Sequence, residues 1–359
     1  MLDNQLFFLI NQGCANTLFD MIMPFITSRG YLLLIPYLFV LFFKAFGAER
    51  RKEDVQQAIW AIFFCVAAVL LGDWASNELK AATARMRPCE ALDGVHLLVG
   101  CTKSASMPSN HATNSFAAAV ALLLFTRQQL NGILWWYPLA PAALIAFSRV
   151  SVGVHYPSDV LAGTVLGSAV AFMLYGAFRL FQSCFAKKPH ETILAAVLMS
   201  LSLIRIYYVL HGPLDLSPDE AHYWEWARRL DLSYYSKGPA VAYIIAAGTA
   251  LFGDTVFGVR FFALIFSAFG SILLYRLMVG MYMPQDAADA KGRESAQNSA
   301  LWGALMLQIV PLFAPFGIIL TIDSPFLFCW ILGLFLFWRA VQRQAGFRAL
   351  TAWLLVGLA

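Results

Sequence analysis

Three polar stretches in an apolar chain carry residue types suited to the transfer of a phosphoryl group. They read KAATARMRP from residue 80, PSNH from residue 108 and SRVSVGVHYPSD from residue 148. A phosphoryl group in transfer spreads negative charge over its oxygens, and fixed cations and hydrogen-bond donors stabilise that charge. We therefore expect a phosphate site whose candidate ligands are Lys80, Arg87, Ser109 and Arg149.

The third stretch also supplies a histidine and an aspartate at a useful spacing. His155 and Asp159 are four residues apart, and Pro157 between them favours the start of a helix. The carboxylate can then hold one imidazole nitrogen and leave the other as a nucleophile. His111 remains as the general acid for the leaving oxygen.

The stretch PSNH opens an apolar run that continues from residue 111 to 126. Ser109 is placed to cap a helix that is entered at Asn110. The free N–H groups in the first turn of a helix form a natural anion site. We therefore predict that the polar start of this helix is a phosphate-binding site.

The composition of the whole chain indicates a membrane protein. Of its 359 residues, 60% are hydrophobic and 13% are charged, whereas about a quarter of the residues in soluble domains are charged. We predict an all-α integral membrane protein whose partner is the lipid bilayer. The net charge of +4 is too small to indicate a nucleic-acid partner.

A helix needs about 20 apolar residues to cross a bilayer. Residues 3–26 are predicted to lie at the interface instead, and residues 238–252 to be too short to cross. The bias of Lys and Arg toward cytoplasmic loops places the cluster KAFGAERRKED inside. All three polar stretches then face outward, which we expect to be the periplasmic side of a bacterial inner membrane. The predicted spans are 31–47, 56–73, 111–126, 132–148, 158–181, 191–210, 259–281, 298–318 and 325–342.

In order and spacing, the three stretches resemble the motifs of the type 2 phosphatidic acid phosphatase (PAP2) and vanadium haloperoxidase superfamily, which are K-x6-RP, PSGH and SR-x5-H-x3-D. The first and third motifs match at every defined position, and Asn110 stands where the second motif has Gly. The resemblance covers residues 1–186 and implies a helical bundle that requires no metal or other cofactor.

The resemblance implies hydrolysis of a phosphate monoester or diphosphate ester, with undecaprenyl diphosphate, lipid A or a phospholipid phosphate as substrate. Transfer of the phosphate to a lipid hydroxyl, or a non-catalytic role as a lipid-binding scaffold, stays open. The implied roles are phosphate binding for Lys80, Arg87, Ser109, Asn110 and Arg149, phosphohistidine formation for His155, orientation of that histidine for Asp159, and protonation of the leaving group for His111.

Two cysteines flank the loop between the first two motifs. Cys89 and Cys101 lie on the predicted outer face, where an oxidising compartment permits disulfides. We predict that a bond between them staples this loop.

A second polar stretch lies on the predicted outer face and reads LDLSPDEAHYWEWARRLDLSYYSKGP from residue 214. It contains the adjacent carboxylates Asp219 and Glu220, followed by Lys237, and a later loop ends at Asp323. A carboxylate at a membrane-edge cavity can activate an acceptor hydroxyl as general base, and a lysine can hold a lipid-linked phosphate. Asp323 shares this face only if residues 238–252 do not cross the membrane.

This stretch resembles the first outer loop of GT-C glycosyltransferases of families 39 and 83, the protein O-mannosyltransferase and aminoarabinose transferase type. The resemblance implies that residues 187–359 form the first helices of such a fold and use a polyprenyl-phosphate sugar donor. It makes Asp219 the catalytic carboxylate with Glu220 beside it. Lys237 corresponds to the lysine of the family's K-P-P stretch, and Asp323 to a second acidic position.

Two departures bear on this second resemblance. Ser236 replaces an acidic residue often found before the lysine, so the presence of a divalent metal in this unit stays open. The last apolar run, FRALTAWLLVGLA, is too short to cross, so we expect that the C-terminal part of the transferase is missing. Arg205, near the outer end of its helix, is expected to snorkel toward the interface.

Overall fold

The regular structure of the protein is helical in the part of the chain that the structure describes, as the sequence predicts. The computed structural model describes residues 2–46, 51–235, 237–283, 289–342 and 351. Within these ranges the regular structure consists of α-helices and two short 3-10 turns, with no strand. The predicted all-α class is confirmed.

The chain divides into two compact units, Met1–Phe181 and Gln182–Ala359. The predicted domain limits, 1–186 and 187–359, lie close to this division and stay a prediction. The helices that begin in the first unit are α1 (Leu2–Asn11), α2 (Thr17–Arg29), α3 (Ile35–Phe46), α4 (Lys52–Thr83), α5 (Pro88–Ala91), α6 (Asn110–Thr126), α7 (Gly132–Trp136), α8 (Leu139–Ser151) and α9 (Pro157–Lys187).

The second unit carries the remaining helices. Pro189 and Pro218 stand at the first positions of two of them, where the missing N–H costs no hydrogen bond. The helices are α10 (Pro189–His211), α11 (Pro218–Ala227), α12 (Ala240–Phe252), α13 (Val256–Tyr282), α14 (Ala290–Ile309) and α15 (Asp323–Gln342).

Seven helical runs in the described chain are long and apolar enough to cross a membrane. The chain is therefore a multi-pass membrane protein. The runs are Thr17–Phe46, Lys52–Ala91, Gly132–Ser151, Pro157–Lys187, Pro189–His211, Val256–Tyr282 and Asp323–Gln342.

Three predicted segments differ from these runs. Residues 17–26 belong to a run through α2 and α3 that is long and apolar enough to cross, whereas the sequence predicts that they lie at the interface. The predicted spans 111–126 and 298–318 are not among the seven: α6 has only 17 residues, and α14 opens with the polar sequence AKGRESAQNS and ends at Ile309. Helix α12 has 13 residues and is short, as predicted.

Small residues bring α6 close to its neighbours α4 and α9. A Cβ added at Gly72 of α4 would stand 3.2 Å from the side chain of Thr113. On α9, a Cβ at Gly163 would stand 2.6 Å from the carbonyl oxygen of Ser109, and one at Gly167 would collide with that of Thr113. Small residues allow such close helix packing in membranes, and this packing sets the start of α6 against the start of α9.

The core of the second unit joins α11, α12 and α13 through a buried cluster that includes Tyr223, Ile245 and Val259. Arg205 of α10 is also buried, and it donates hydrogen bonds to Ser267 Oγ at 3.0 Å and Gln308 Oε1 at 2.7 Å. The prediction that Arg205 snorkels is therefore wrong, because polar partners on α13 and α14 satisfy it inside the unit.

Candidate active site

The three polar stretches meet at one end of the first unit. Arg87, which follows α4, lies 3.3 Å from His155 in the loop between α8 and α9, measured from Nη1 to Nε2. Ser109, which precedes α6, donates its backbone N–H to the carbonyl oxygen of Asp159 at 3.0 Å. Helix packing thus brings together segments that are distant in sequence.

The two ring nitrogens of His155 have different partners. Arginine has only donors, so His155 Nε2 must accept the hydrogen bond from Arg87 and carries no proton. The proton is then on Nδ1, which faces Asp159 Oδ2 at 3.6 Å and Ser106 Oγ at 3.4 Å. Ser106 donates its own hydroxyl proton to Asp159 Oδ2 at 2.5 Å. This tautomer has its lone pair on the nitrogen that faces the cation.

The environment of His155 keeps its imidazole neutral. The residue is 1% exposed, and burial is the main reason that its pKa is lowered to about 4. Asp159 acts in the opposite direction, whereas Arg149 and Arg87 lower the pKa further. The free protein therefore presents a neutral imidazole at pH 7, which is the form a nucleophile requires.

Asp159 is fully buried and has partners besides the histidine. Its Oδ1 accepts a hydrogen bond from Arg85 Nη1 at 2.6 Å, and its Oδ2 accepts the backbone N–H of Tyr156 at 2.9 Å. Arg85 also donates from Nη2 to Asp3 Oδ2 at 2.6 Å, and Asp3 accepts the backbone N–H of Ser158 at 3.1 Å. Helix α1 thus reaches the site through a second carboxylate.

Arg87 is fixed by the loop that follows α5. Its Nε donates to the Ser104 carbonyl oxygen at 2.8 Å and its Nη2 donates to Ser104 Oγ at 2.9 Å. A disulfide closes this loop between Cys89 and Cys101, the pair that the sequence predicts. The disulfide restrains the segment that orients Arg87, a candidate phosphate ligand.

Two buried donors of the site have no partner within the described chain. Ser109 is 0% exposed, and its hydroxyl makes no hydrogen bond although it occupies the N-cap position of α6. The prediction that this hydroxyl caps the helix is therefore wrong. Arg149 donates from Nη1 to Thr27 Oγ1 at 2.7 Å, but its buried Nε is also unpaired. Because buried polar groups are normally hydrogen-bonded, both donors point to a ligand with acceptor oxygens.

Lys80 and His111 stand at the ends of two helices beside these groups. Lys80 is half-buried in the last turn of α4, and His111 is exposed in the first turn of α6. Lys80, Arg87, Arg149 and His155 all interact electrostatically with His111. The candidate general acid is therefore next to the candidate phosphate ligands.

A cavity of about 500 Å³ adjoins His111. Leu34, Val69 and Ile145 contribute to a wall that is largely apolar. An apolar cavity beside a cationic site fits an amphipathic ligand whose charged end is a phosphate.

Asn110, which replaces the glycine of the second motif, points its side chain at α4. Its Nδ2 donates to Asp73 Oδ1 and to Asn77 Oδ1, both at 2.9 Å, and its Oδ1 accepts a hydrogen bond from Ser76 Oγ at 2.9 Å. The side chain therefore links α6 to α4 and leaves only the backbone N–H for a phosphate.

The second unit brings its predicted acidic residues to one end. Asp219 in α11 and Asp323 at the start of α15 are both exposed. Burial raises the pKa of Tyr223, and the nearby carboxylates of Asp219 and Asp323 raise it further. Lys237 is exposed in the loop before α12. Both aspartates thus lie near Tyr223. The sequence alone leaves open whether Asp219 and Asp323 are on the same face, and the structure brings them to the same end of the unit.

Glu220, the second carboxylate of the predicted pair, is fully buried. It accepts hydrogen bonds from Arg260 Nε and Nη2 at 2.9 and 2.8 Å and from the Leu320 backbone N–H at 3.0 Å. Burial alone would raise the pKa of Glu220, but the hydrogen bonds from Arg260, Ser217 and Leu320 outweigh it and lower the pKa. Glu220 therefore anchors α11 to α13, and Asp219 is the carboxylate of the pair that is open to a ligand.

Two family models match the chain. The PAP2 superfamily model matches residues 57–183, and the dolichyl-phosphate-mannose-protein mannosyltransferase model matches residues 236–359. An undecaprenyl-diphosphatase from Sulfolobus acidocaldarius is 32% identical over 171 residues, which cover 47% of this chain and 75% of that relative. The chain belongs to the PAP2 superfamily.

Other relatives of this PAP2 protein are also phosphatases by name. A lipid A 1-phosphatase from Rhizobium etli is 34% identical over 35% of this chain and 53% of that protein. The crystal structure of Aquifex aeolicus LpxE is 27% identical, with coverage of 48% of this chain and 94% of that chain and a TM-score of 0.35, which is too low to bear on the fold. The PAP2 unit is a phosphatase, and a glycosyltransferase-like unit follows it.

Several groups that shape the PAP2 site escape detection in the sequence. The sequence places Arg85 in a predicted outer segment, but its spacing from other residues does not show that it donates a hydrogen bond to Asp159. Asp73 and Asn77 share one face of α4 with Lys80 because they precede it by seven and three residues. This polar stripe in an otherwise apolar helix is the signal that could identify them. Asp3 has no such signal.

Proposed function

We propose that the PAP2 unit hydrolyses a phosphate monoester or diphosphate ester of a membrane lipid through a phosphohistidine intermediate. The candidate substrates are undecaprenyl diphosphate, lipid A and phospholipid phosphates. The reaction takes place at the periplasmic face of a bacterial inner membrane and uses no cofactor.

In the first step, His155 Nε2 attacks the phosphorus atom, so that an N–P bond forms and the bond from phosphorus to the leaving oxygen breaks. His111 gives its proton to that oxygen. Lys80, Arg87 and Arg149 offset the charge on the phosphoryl oxygens. In the second step, water attacks the phosphorus, gives a proton to His111 and breaks the N–P bond, which releases inorganic phosphate.

The tautomer of His155 carries this proposal. Arg87 donates to Nε2, and Nδ1 faces Asp159, so the lone pair is on the nitrogen that would meet the phosphate. The unpaired donors Ser109 Oγ and Arg149 Nε supply further support, because a phosphate oxygen would satisfy each of them.

The test measures phosphate release from a lipid panel and trapping of a ³²P-labelled protein after a quench in alkaline detergent, because the N–P bond of phosphohistidine is stable in base and hydrolyses in acid. We expect His155→Ala to abolish both signals and His111→Ala to lower turnover while labelled protein still forms from a substrate with a good leaving group. The matched control is His211→Ala, because His211 is exposed at the end of α10 in the second unit. Equal phosphate release by the wild type and His155→Ala would refute the nucleophile assignment.

The same experiment separates hydrolysis from phosphotransfer. A phosphotransferase forms the labelled protein but passes the phosphate to a lipid hydroxyl, so labelled lipid rather than inorganic phosphate accumulates. A scaffold without catalysis gives neither product.

For the second unit we propose a polyprenyl-phosphate-sugar-dependent glycosyltransferase activity, with Asp219 as general base, Lys237 as phosphate ligand and Asp323 as a second acidic group. The position of both aspartates beside Tyr223 supports this proposal, and so does the mannosyltransferase match over residues 236–359. Any divalent metal would have these carboxylates as candidate ligands.

Labelled-sugar transfer from a polyprenyl-phosphate donor tests this activity. We expect Asp219→Asn to abolish transfer, whereas Asp231→Asn, which alters another exposed acid of the same loop, leaves it unchanged. Addition of EDTA reports whether a metal takes part. Retention of transfer by Asp219→Asn would remove Asp219 from the proposed role.

A further inference from the structure

The cavity beside His111 differs in charge from the phosphate site. The cations Lys80, Arg87 and Arg149 do not line this cavity, and no other lysine or arginine is among its wall residues in the described chain. Among the described wall residues, Asp73 of α4 is the only one with a carboxylate. Because His111 lines the cavity and is the proposed acid for the leaving oxygen, the leaving group occupies the side that contains Asp73.

The hydrogen bonds of Asp73 indicate an ionised carboxylate. Its Oδ1 accepts from Asn110 Nδ2 at 2.9 Å and from Asn114 Nδ2 at 3.0 Å, and its Oδ2 accepts from Asn77 Nδ2 at 3.2 Å. Ser76 Oγ donates to Asn110 Oδ1, which fixes the orientation of that amide. Three donors and no acceptor surround the carboxylate, as expected for its acceptor-only ionised form.

Asp73 forms no ion pair with any described residue, although Lys80 interacts with it electrostatically. None of the salt bridges in the described chain includes Asp73. Asp73 precedes Lys80 by seven residues of one helix, so its Cα lies about 10 Å from that of Lys80 along the axis, toward the membrane interior. A carboxylate without an ion-pair partner within a spanning helix is costly and marks a functional position.

An unused acceptor lies beside the carboxylate. Asn114 Oδ1 is buried and has no hydrogen-bond partner among the described residues, and Asn114 lines the same cavity. The polar part of the wall therefore offers acceptors, which suit hydroxyl or amide donors of a sugar or glycerol group. It offers no cation for a phosphate.

We propose that Asp73 makes the PAP2 unit selective for phosphate monoesters, whose leaving group is an uncharged alcohol, over diphosphates, whose leaving group is itself a phosphate. This inference rests on the proposed function, because it requires His111 to face the leaving oxygen. A diphosphate would place its second phosphate against Asp73 in a cavity whose described wall contains no lysine or arginine. A monoester places hydroxyl or amide donors there instead.

A matched pair of substrates tests the proposal. Phosphatidic acid and diacylglycerol diphosphate share one lipid and differ in whether the broken bond releases an alcohol or a phosphate monoester. We expect wild-type kcat/KM to be at least about tenfold higher for phosphatidic acid, because like charges in a binding site strongly disfavour the wrong ligand. We expect Asp73→Asn to reduce this ratio severalfold, mainly by improving the rate with the diphosphate.

A purely structural role for Asp73 predicts a different result, since loss of the link between α4 and α6 would slow both substrates together and leave the ratio unchanged. Asp93→Asn, which removes an exposed carboxylate from another loop, is the matched control and should keep the wild-type ratio. Ser28→Lys adds a cation at an exposed position of the cavity wall and should also improve the diphosphate rate, even if Asp73→Asn does not fold.

The outcomes separate this proposal from the function on which it rests. Absence of phosphate release from every lipid of the panel would contradict the phosphatase proposal itself. Phosphate release with equal or greater wild-type kcat/KM for the diphosphate would overturn only the selectivity. An unchanged ratio in folded Asp73→Asn, or in Ser28→Lys when Asp73→Asn does not fold, would overturn the role of the cavity charge.

Discussion

The two ring nitrogens of His155 determine how the PAP2 site should respond to pH. Attack on phosphorus requires the neutral imidazole, and burial lowers the pKa of His155 to about 4, against about 6.5 for an unperturbed histidine. Protonation, and with it the loss of activity, therefore moves to lower pH. We expect the acidic limb of kcat/KM, which reports the free enzyme, to fall well below pH 6. A limb between pH 6 and 7 would contradict the assigned environment.

The same shift has a consequence for stability. Between pH 4 and 6.5 the unfolded chain binds a proton at His155 that the folded chain does not, so this histidine makes unfolding easier as pH falls through that range. The pH profile should therefore include parallel samples that are held at each acidic pH and then assayed at pH 7. These samples distinguish loss of activity through protonation from loss through unfolding.

Arg85 is expected to act through Asp159 rather than on the substrate. Its hydrogen bond to Asp159 Oδ1 and its second one to Asp3 fix the carboxylate that faces His155. We expect Arg85→Met to lower kcat about 100-fold, because small misplacements of catalytic groups have effects of this size, with little change in KM. Arg85→Lys should recover part of the loss. Arg127→Met, at the exposed far end of α6, is the control, and a loss confined to KM would contradict a positioning role.

At this scale the sequence predicts residue types and spacing but not the direction of side chains. His155 and Asp159 could be paired from their separation of four residues, since the structure places them in contact across the first turn of α9. Arg85 and Arg87 are two positions apart in one loop, and only the left-handed conformation of Ala84, with φ 46°, and the path that follows it decide their separate targets. Asn110 matches a motif position, yet its amide serves the link to α4.

Helix packing is the element-scale feature that holds the site together. We expect Gly167→Ala to destabilise the first unit by about 1–3 kcal/mol, the usual range for overpacking, because its Cβ would collide with the Thr113 carbonyl oxygen on α6. Gly176→Ala, on the same helix with nothing within 4 Å of its Cβ, is the control and should keep or slightly raise the melting temperature. Equal melting temperatures for the two variants would show that α6 and α9 are not so closely packed.

The elements themselves are largely predictable, because hydropathy identifies most of the spans and proline positions identify several helix starts. Two segments differ for physical reasons. Residues 17–26 contain Asp20, which suggests an interfacial helix, but in the structure Asp20 pairs with His96 at 3.0 Å while the helix continues into α3. The end of the predicted span 298–318 differs because Pro311 and Pro315 interrupt it, and a 3-10 turn at Ala314–Gly317 replaces the end of the helix.

At the scale of the whole molecule, the two proposed functions place two reactions of lipid-linked phosphates in one chain. In the proposed reactions the PAP2 unit removes phosphate from a lipid, and a transferase that uses a polyprenyl-phosphate sugar releases polyprenyl phosphate. A common lipid carrier for the two reactions requires both sites to open on the same side of the membrane. The charge distribution of the loops predicts that they do.

Membrane-impermeant maleimide labelling of single cysteines tests this topology. In a Cys184→Ser background, we expect Asp93→Cys and Leu232→Cys, one in an exposed loop of each unit, to be labelled in intact spheroplasts. Lys188→Cys, which follows α9 and has a side chain 67% exposed, should be labelled only after permeabilisation. Ser109, just before α6, and Asp159, in the first turn of α9, are hydrogen-bonded, so these two helix starts lie on the same side of the membrane. The helices between them, α6 and α8, therefore either both cross or both do not. Residue 188, at the end of α9, is then one crossing away from each outer position. Labelling of residues 93 and 232 from opposite sides would rule out a shared face and, with it, exchange of a lipid carrier between the two sites within one leaflet.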